Sequence, residues 1–170
     1  MSILGLDLGT RTGWAAGDRE GGNVSFGTWT LATPKEVTAQ RRNGADRNCD
    51  IRIPRLFHHI KEAVDKFKVQ HIVFEDVKFI KTVAQGQLWS SLRSCVWLQT
   101  NDAGFPEVEI RAVPVQTLKK FATGWHTASK DQMVKAALRC FPEAKKVKKF
   151  DDNMADALHL LRYGFEHLTH

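Results

Sequence analysis

Two short apolar runs, each closed by a carboxylate, constrain this chain more than any other feature. Ile3-Leu4-Gly5-Leu6 ends in Asp7, and Ile72-Val73-Phe74 ends in Glu75. Runs of this kind read as buried strands. A carboxylate closing a buried strand is costly unless something compensates its charge. A third acidic cluster opens a helical pattern near the C-terminus, in Asp151-Asp152-Asn153-Met154-Ala155-Asp156-Ala157-Leu158. Two such strands and a third cluster suggest a shared compensator. A pair of divalent cations suits an all-oxygen ligand set.

The rest of the chain supplies the elements that could bring these acids together. Residues 3–8 read as the first strand, and 9–13 as a turn. Residues 14–17 return as a second strand, and Val24 to Leu31 form a third after the turn at Gly21-Gly22-Asn23. Residues 34–50 are polar and carry Arg41, Arg42 and Arg47, and they read as a mobile loop with partial disorder. Ile53, Leu56, Phe57, Ile60, Val64 and Phe67 have helical spacing over 51–67. The strand 71–77 is followed by a long helix over 82–100 and a strand over 108–113. A short helix runs from Pro114 through Phe121. Another runs from Lys130 to Cys140, with Ser129 as N-cap and Pro142 as its stop. The last helix covers 152–168. This order predicts an α/β fold with a mixed five-stranded sheet, an antiparallel three-strand meander plus two parallel strands, flanked by helices.

With 170 residues the chain suits one domain, 1–170, with a full core. No stretch approaches the roughly 20 apolar residues of a membrane span. The N-terminus has no basic region followed by a long apolar one, so no secretory signal is expected. Cys49, Cys95 and Cys140 are odd in number and widely spaced, which indicates neither a zinc site nor a disulfide framework. A reducing, cytoplasmic setting fits. The net charge of +6 is unevenly spread. Residues 34–68 carry nine Lys/Arg against five Asp/Glu, and residues 114–150 carry nine against two. The acids lie in the near-neutral or acidic segments between and after them. A polyanion-binding surface around a metal centre has this distribution. A solvated basic face explains Lys145-Lys146-Val147-Lys148-Lys149 equally well.

Phosphodiester hydrolysis needs an activated water and stabilisation of the leaving oxygen, and two Mg²⁺ ions roughly 4 Å apart supply both. On this reading Asp7 bridges the ions, Glu75 holds one, and Asp156 holds the other with Asp152 or Asn153. Asn153 and Asp156 are i,i+3 and Asp152 and Asp156 are i,i+4, so both pairs share a helix face. Asp152 serves equally well as a helix N-cap. His159, three residues past Asp156, is more simply a packing histidine than a ligand. Asp76 points to the opposite side of its strand from Glu75. Lys130 is a candidate for the scissile phosphate, since a lysine in a helix's first turn opposes the helix dipole. Lys119 and Lys120 suit backbone phosphates. Lys78, Phe79, Lys81 and Trp89 follow Glu75 closely, and an aromatic here suits a wedge into an opened base step. Core packing serves Trp89 at least as well.

These stretches resemble the RuvC-type Holliday junction resolvases of the RNase H-like superfamily. ILGLDLGTRTGWA resembles that family's first strand and turn, with Asp7 at its first acid, and IVFEDV its second acidic strand, with Glu75 matching. VPVQTLKKFATGWHTASKDQM is similar to the strand, helix and lysine-bearing loop, which puts Lys130 at the catalytic lysine and Lys119 or Lys120 at an accessory one. NMADALHLL resembles the closing helix, with Asp156 at its acid. The resemblance covers nearly the whole chain in order. It implies a Mg²⁺-dependent endonuclease, Mn²⁺ being an alternative, with two ions per site. It also implies a homodimer that nicks opposing strands of a four-way DNA junction symmetrically. The apolar stretch Leu88 to Leu98 suits a dimer surface, and a monomer's core uses much of the same stretch. The family often carries Asp or His where this chain has Asn153, which leaves Asp152 and Asn153 as alternative fourth ligands. The length of 34–50 points to a phage or otherwise divergent member. A helicase partner is not specified. Competing readings are a broader nuclease on branched or flap substrates and a non-catalytic junction-binding protein. An ATPase or sugar kinase, suggested by Leu6-Asp7-Leu8-Gly9-Thr10, fits poorly in so short a chain.

Overall fold

Alternation along the central strand decides which layer each side chain joins. In the computed structural model, which describes residues 1–20, 22–42, 50–77, 80–100 and 108–168, strands β1 (Ser2–Asp7), β2 (Arg11–Asp18) and β3 (Val24–Thr30) form the antiparallel meander. Strands β4 (His71–Asp76) and β5 (Glu109–Pro114) add in parallel beyond β1, giving the order β3-β2-β1-β4-β5. The helices are α1 (Pro34–Arg42), α2 (Arg52–Phe67), α3 (Val83–Trp97), α4 (Val115–Thr123), α5 (Lys130–Cys140) and α6 (Asp152–His167).

Leu4 and Leu6 of β1 and Ile72 and Phe74 of β4 bury on one face with Leu56 and Ile60 of α2 and Leu92, Cys95 and Val96 of α3. Ile3, Val73 and Val113 bury on the other face with Leu118 of α4, Met133 of α5 and Leu158, Leu160 and Leu161 of α6. Both layers bury large aliphatic side chains, which is why β1 and β4 read as continuous apolar runs rather than alternating ones. By the two-residue period, Asp7 and Glu75 fall on the α6 face. Leu6 pairs with Phe74 in the parallel register, so the acids that follow them end adjacent strands side by side.

Glycine lets α6 lie directly on the sheet. A Cβ built on Gly5 would stand 2.5 Å from the carbonyl oxygen of Ala157, and one on Gly13 would stand 2.0 Å from that of Asn153. Gly13 is the register partner of Asp7. The first turn of α6 is therefore pressed onto the strand ends that carry the acids.

Two sequence expectations are corrected here. Of the expected loop over 34–50, residues 34–42 are helical and 43–49 lie outside the described residues. Thr33 and Glu36 make a reciprocal cap: the Thr33 backbone N–H donates to Glu36 Oε2 at 2.8 Å, and the Glu36 N–H donates to Thr33 Oγ1 at 3.3 Å. Pro34 at the first helical position fits this cap, and Arg55 of α2 clamps Glu36 at 2.8 Å. Second, Asp152 is not the cap of α6. Asp151 is, accepting from the Met154 N–H at 3.0 Å, so Asp152 is left with other partners. The expected Ser129 cap is present as a full capping box with Gln132. Two short 3₁₀ turns, Leu98–Thr100 and Pro142–Lys146, extend past α3 and α5.

Candidate active site

Asp7 ends β1, Glu75 lies one residue before the end of β4, and Asp156 lies one turn into α6, which crosses both strands. All three are half-buried, and all three titrate abnormally. Desolvation pushes Asp7 well above the usual aspartate range. Repulsion from Glu75, Asp156 and Asp152 adds to the shift, and Lys130 opposes it. Desolvation also raises Glu75, against the pull of Lys119. Asp156 is pushed up to about 7, again by desolvation first, then by Glu75 and Asp152, with Lys130 and Lys119 opposing. Asp7 and Asp156 thus sense the charge of the neighbouring carboxylates, Glu75 and Asp152 among them, with two lysines as the cations that reach the group. Such mutual repulsion marks a site that is short of positive charge.

Lys130 and Asp152 form the polar edge of this group. The Lys130 ammonium donates to Asp152 Oδ2. That contact holds Asp152 below its ordinary pKa and Lys130 above its own. Asp151 accepts from Arg11 at 2.7 Å, tying the α6 cap to the start of β2. The turn between β1 and β2 is held by Thr12, whose hydroxyl donates to the Gly9 carbonyl at 2.8 Å. A cleft of about 750 Å³ opens beside these groups, lined by Thr10, Arg11, Lys130, Lys149, Asp152 and Asn153 among others.

The donor set is oxygen throughout, as Mg²⁺ or Mn²⁺ requires. Asp156 Oδ1 is buried without a hydrogen-bond partner among the described residues, an atom that a cation would satisfy. Among the described residues no group of three or more His, Cys, Asp or Glu is arranged to hold a metal ion. Mg²⁺ keeps several waters and needs only one or two carboxylates per ion. The residues therefore fit a hydrated divalent ion better than a closed cage. Both candidates for a fourth ligand are half-buried at the N-terminus of α6. Asp152 is engaged by Lys130, and the backbone of Asn153 is packed on Gly13.

Of the residues singled out for nucleic acid, Lys119 and Lys130 stand close enough to the acids to shift their titration. Lys120 is exposed on α4, and Lys81 is exposed just before α3. Arg41 and Arg42 close α1. Arg47, Lys78 and Phe79 lie outside the described residues. Trp89 packs against the core with Arg93 over its ring at 5.7 Å. His159 is fully buried and its Nε2 donates to the Met133 carbonyl at 3.0 Å, linking the helix of Asp156 to that of Lys130. It is a packing histidine, and its burial lowers its pKa to about 4. The sequence reading missed Arg11 and Lys149 at the cleft. The Gly9–Gly13 turn was visible, but an ion pair spanning 140 positions has no local signature.

No protein-family model matches the chain, and no curated protein matches its sequence. Solved structures do match in three dimensions. Thermus thermophilus RuvC in complex with a Holliday junction substrate superposes with a TM-score of 0.70 at 17% identity, covering 98% of this chain and 94% of that one. Another Thermus thermophilus RuvC structure gives 0.61 at 19% identity, covering 97% and 94%. The yeast mitochondrial Holliday junction resolvase Ydc2 gives 0.61 at 16% identity, covering 96% and 77%. The fold is RNase H-like, as the family resemblance implied, and it contains the mixed five-stranded sheet that the order of strands and helices predicted.

Proposed function

We propose that this chain is a divalent-metal-dependent, structure-selective DNA endonuclease that resolves four-way junctions by paired nicks. One observation carries the reading. Three carboxylates from three separate elements converge at one end of the sheet, all with raised pKa values, beside an orphaned buried oxygen on Asp156. Such an arrangement costs stability and makes sense for a chain that meets cations there. The likeness in fold to RuvC, one neighbour being bound to a Holliday junction substrate, supports DNA as the polyanion.

In this reading Asp7, Glu75 and Asp156 hold two ions, with Asp152 or Asn153 completing the second position. When bound, the ions supply an activated water and stabilise the leaving oxygen. Lys130 serves the scissile phosphate, once it exchanges Asp152 for that anion, and offsets charge that develops there. Lys119 lowers the charge density around Glu75 and Asp156 and, with Lys120, meets backbone phosphates. Arg11 and Lys149 extend the basic rim along the cleft. Residues 1–170 act as one nuclease domain, and two copies act as a homodimer on opposing strands. Trp97 and Leu98 at the end of α3 are exposed and offer apolar surface for that pairing. Among the described residues no helix is long and apolar enough to cross a membrane. A cytoplasmic site of action belongs to the same reading.

The test is incubation with a labelled synthetic four-way junction, with Mg²⁺ or chelator, for the wild type and Asp7→Asn. Paired symmetric nicks that need metal and vanish in the variant support a resolvase. Equal cutting of flaps and linear duplex indicates a broader nuclease. Junction binding without nicks in Mg²⁺ or Mn²⁺ replaces the enzyme with a binding protein.

A further inference from the structure

The turn between α4 and α5 presents an indole to solvent in a setting built from lysines. Trp125 is 68% exposed. A single exposed apolar residue needs no explanation by itself. What distinguishes Trp125 is how it is held and what flanks it. Gly124 closes α4 with φ +87, a left-handed cap that a side chain resists. Thr123 Oγ1 accepts from the Trp125 N–H at 3.1 Å and lies 3.2 Å from the Trp125 carbonyl, which in turn accepts from the Ala128 N–H at 3.3 Å. The backbone on both sides is thereby fixed, and the ring stacks on no other aromatic among the described residues.

The flanks give the direction. Six residues before Trp125, Lys119 acts on Glu75 and Asp156. Five residues after Trp125, Lys130 pairs with Asp152. The neighbouring His126 lines a cleft of about 410 Å³ with Asp76, Gln116 and Lys119. The turn is therefore strung between the two lysines that reach the acidic centre. Cations that track phosphates, with an outward aromatic face between them, are the elements of a single-strand stacking site.

We propose that Trp125 is a base-stacking platform for an unpaired nucleobase next to the scissile phosphate. This rests on the endonuclease reading above and adds a strand-opening element to it. Stacking on an aromatic face tolerates any base, so the site selects unpaired structure rather than sequence.

Binding by fluorescence anisotropy, with Ca²⁺ in place of Mg²⁺, tests it on three labelled DNAs: a four-way junction, a duplex with a single-stranded flap, and a fully paired duplex. Trp125→Ala is expected to weaken junction and flap binding about ten-fold, the loss of roughly one stacked base, and duplex binding less than two-fold. Trp125→Phe keeps a π-face and should recover most of the affinity. Unchanged binding by Trp125→Ala, or equal loss on all three DNAs, overturns the stacking role and leaves the endonuclease reading intact. A wild type that binds none of the three overturns both.

Discussion

Asp156→Asn tests the electrostatic cost of the carboxylate cluster. Asp156 titrates near 7 in the fold, against an ordinary value of 3.8. A raised acid favours the folded state fully only below its unfolded pKa, and that advantage is lost as pH rises through the folded value. Each tenfold change in proton affinity is worth about 1.4 kcal/mol, so in chelator the ionised side chain costs about 4 kcal/mol above pH 7. Asparagine removes the charge and keeps the shape. The difference in unfolding free energy between Asp156→Asn and wild type should therefore grow from a baseline near pH 4 and level off above pH 7. Urea unfolding at 25 °C in chelator, at pH 4 to 8, reads this difference directly. His159, whose pKa is lowered, destabilises both proteins below its unfolded value of about 6.5 and cancels in the subtraction. Mg²⁺ at pH 8 should stabilise the wild type more than the variant, because a ligand stabilises the form that binds it. A difference that stays flat across pH 4 to 8 would refute the claim that the fold holds Asp156 at a charge-poor, desolvated position.

Three further outcomes follow from other parts of the molecule. Gly5→Ala drives a methyl into the Ala157 carbonyl, 2.5 Å away, and should cost about 1–3 kcal/mol by overpacking, read as a lower urea midpoint with unchanged m. Thr33→Ala removes the cap of α1 and should cost about 1 kcal/mol, with faster amide exchange confined to α1. Lys130→Ala should lower junction cleavage about a hundred-fold while junction binding changes only a few-fold. A parallel loss of both would assign Lys130 to binding.

Much of the architecture was readable because it is written locally. Continuous apolar runs announced β1 and β4, the 3.6-residue period announced α2, and Ser129 announced α5. The helix α1 was just as local: Thr33-Pro34-Lys35-Glu36 is a capping box with proline at the first helical position. Its polar composition nevertheless resembles a loop, because a mostly exposed helix has little apolar period to follow. At Asp151 and Asp152 the choice of cap rests on one residue of phase, and pattern alone does not resolve that.

By itself the sequence determined the strand and helix periods, the acids that close the apolar runs, and the segregation of basic charge, since each depends on near neighbours in the chain. Only the tertiary structure decided which acids share a field and what each one faces. Asp7 and Glu75 meet because β4 adds in parallel beside β1 with Phe74 level with Leu6. Asp156 joins them because Gly5 and Gly13 let α6 rest on the strands. Lys130 reaches Asp152 across 22 positions of chain. These are long-range juxtapositions, and desolvation and repulsion act through space, so the raised carboxyls and the orphaned Asp156 oxygen exist only once the layers have closed.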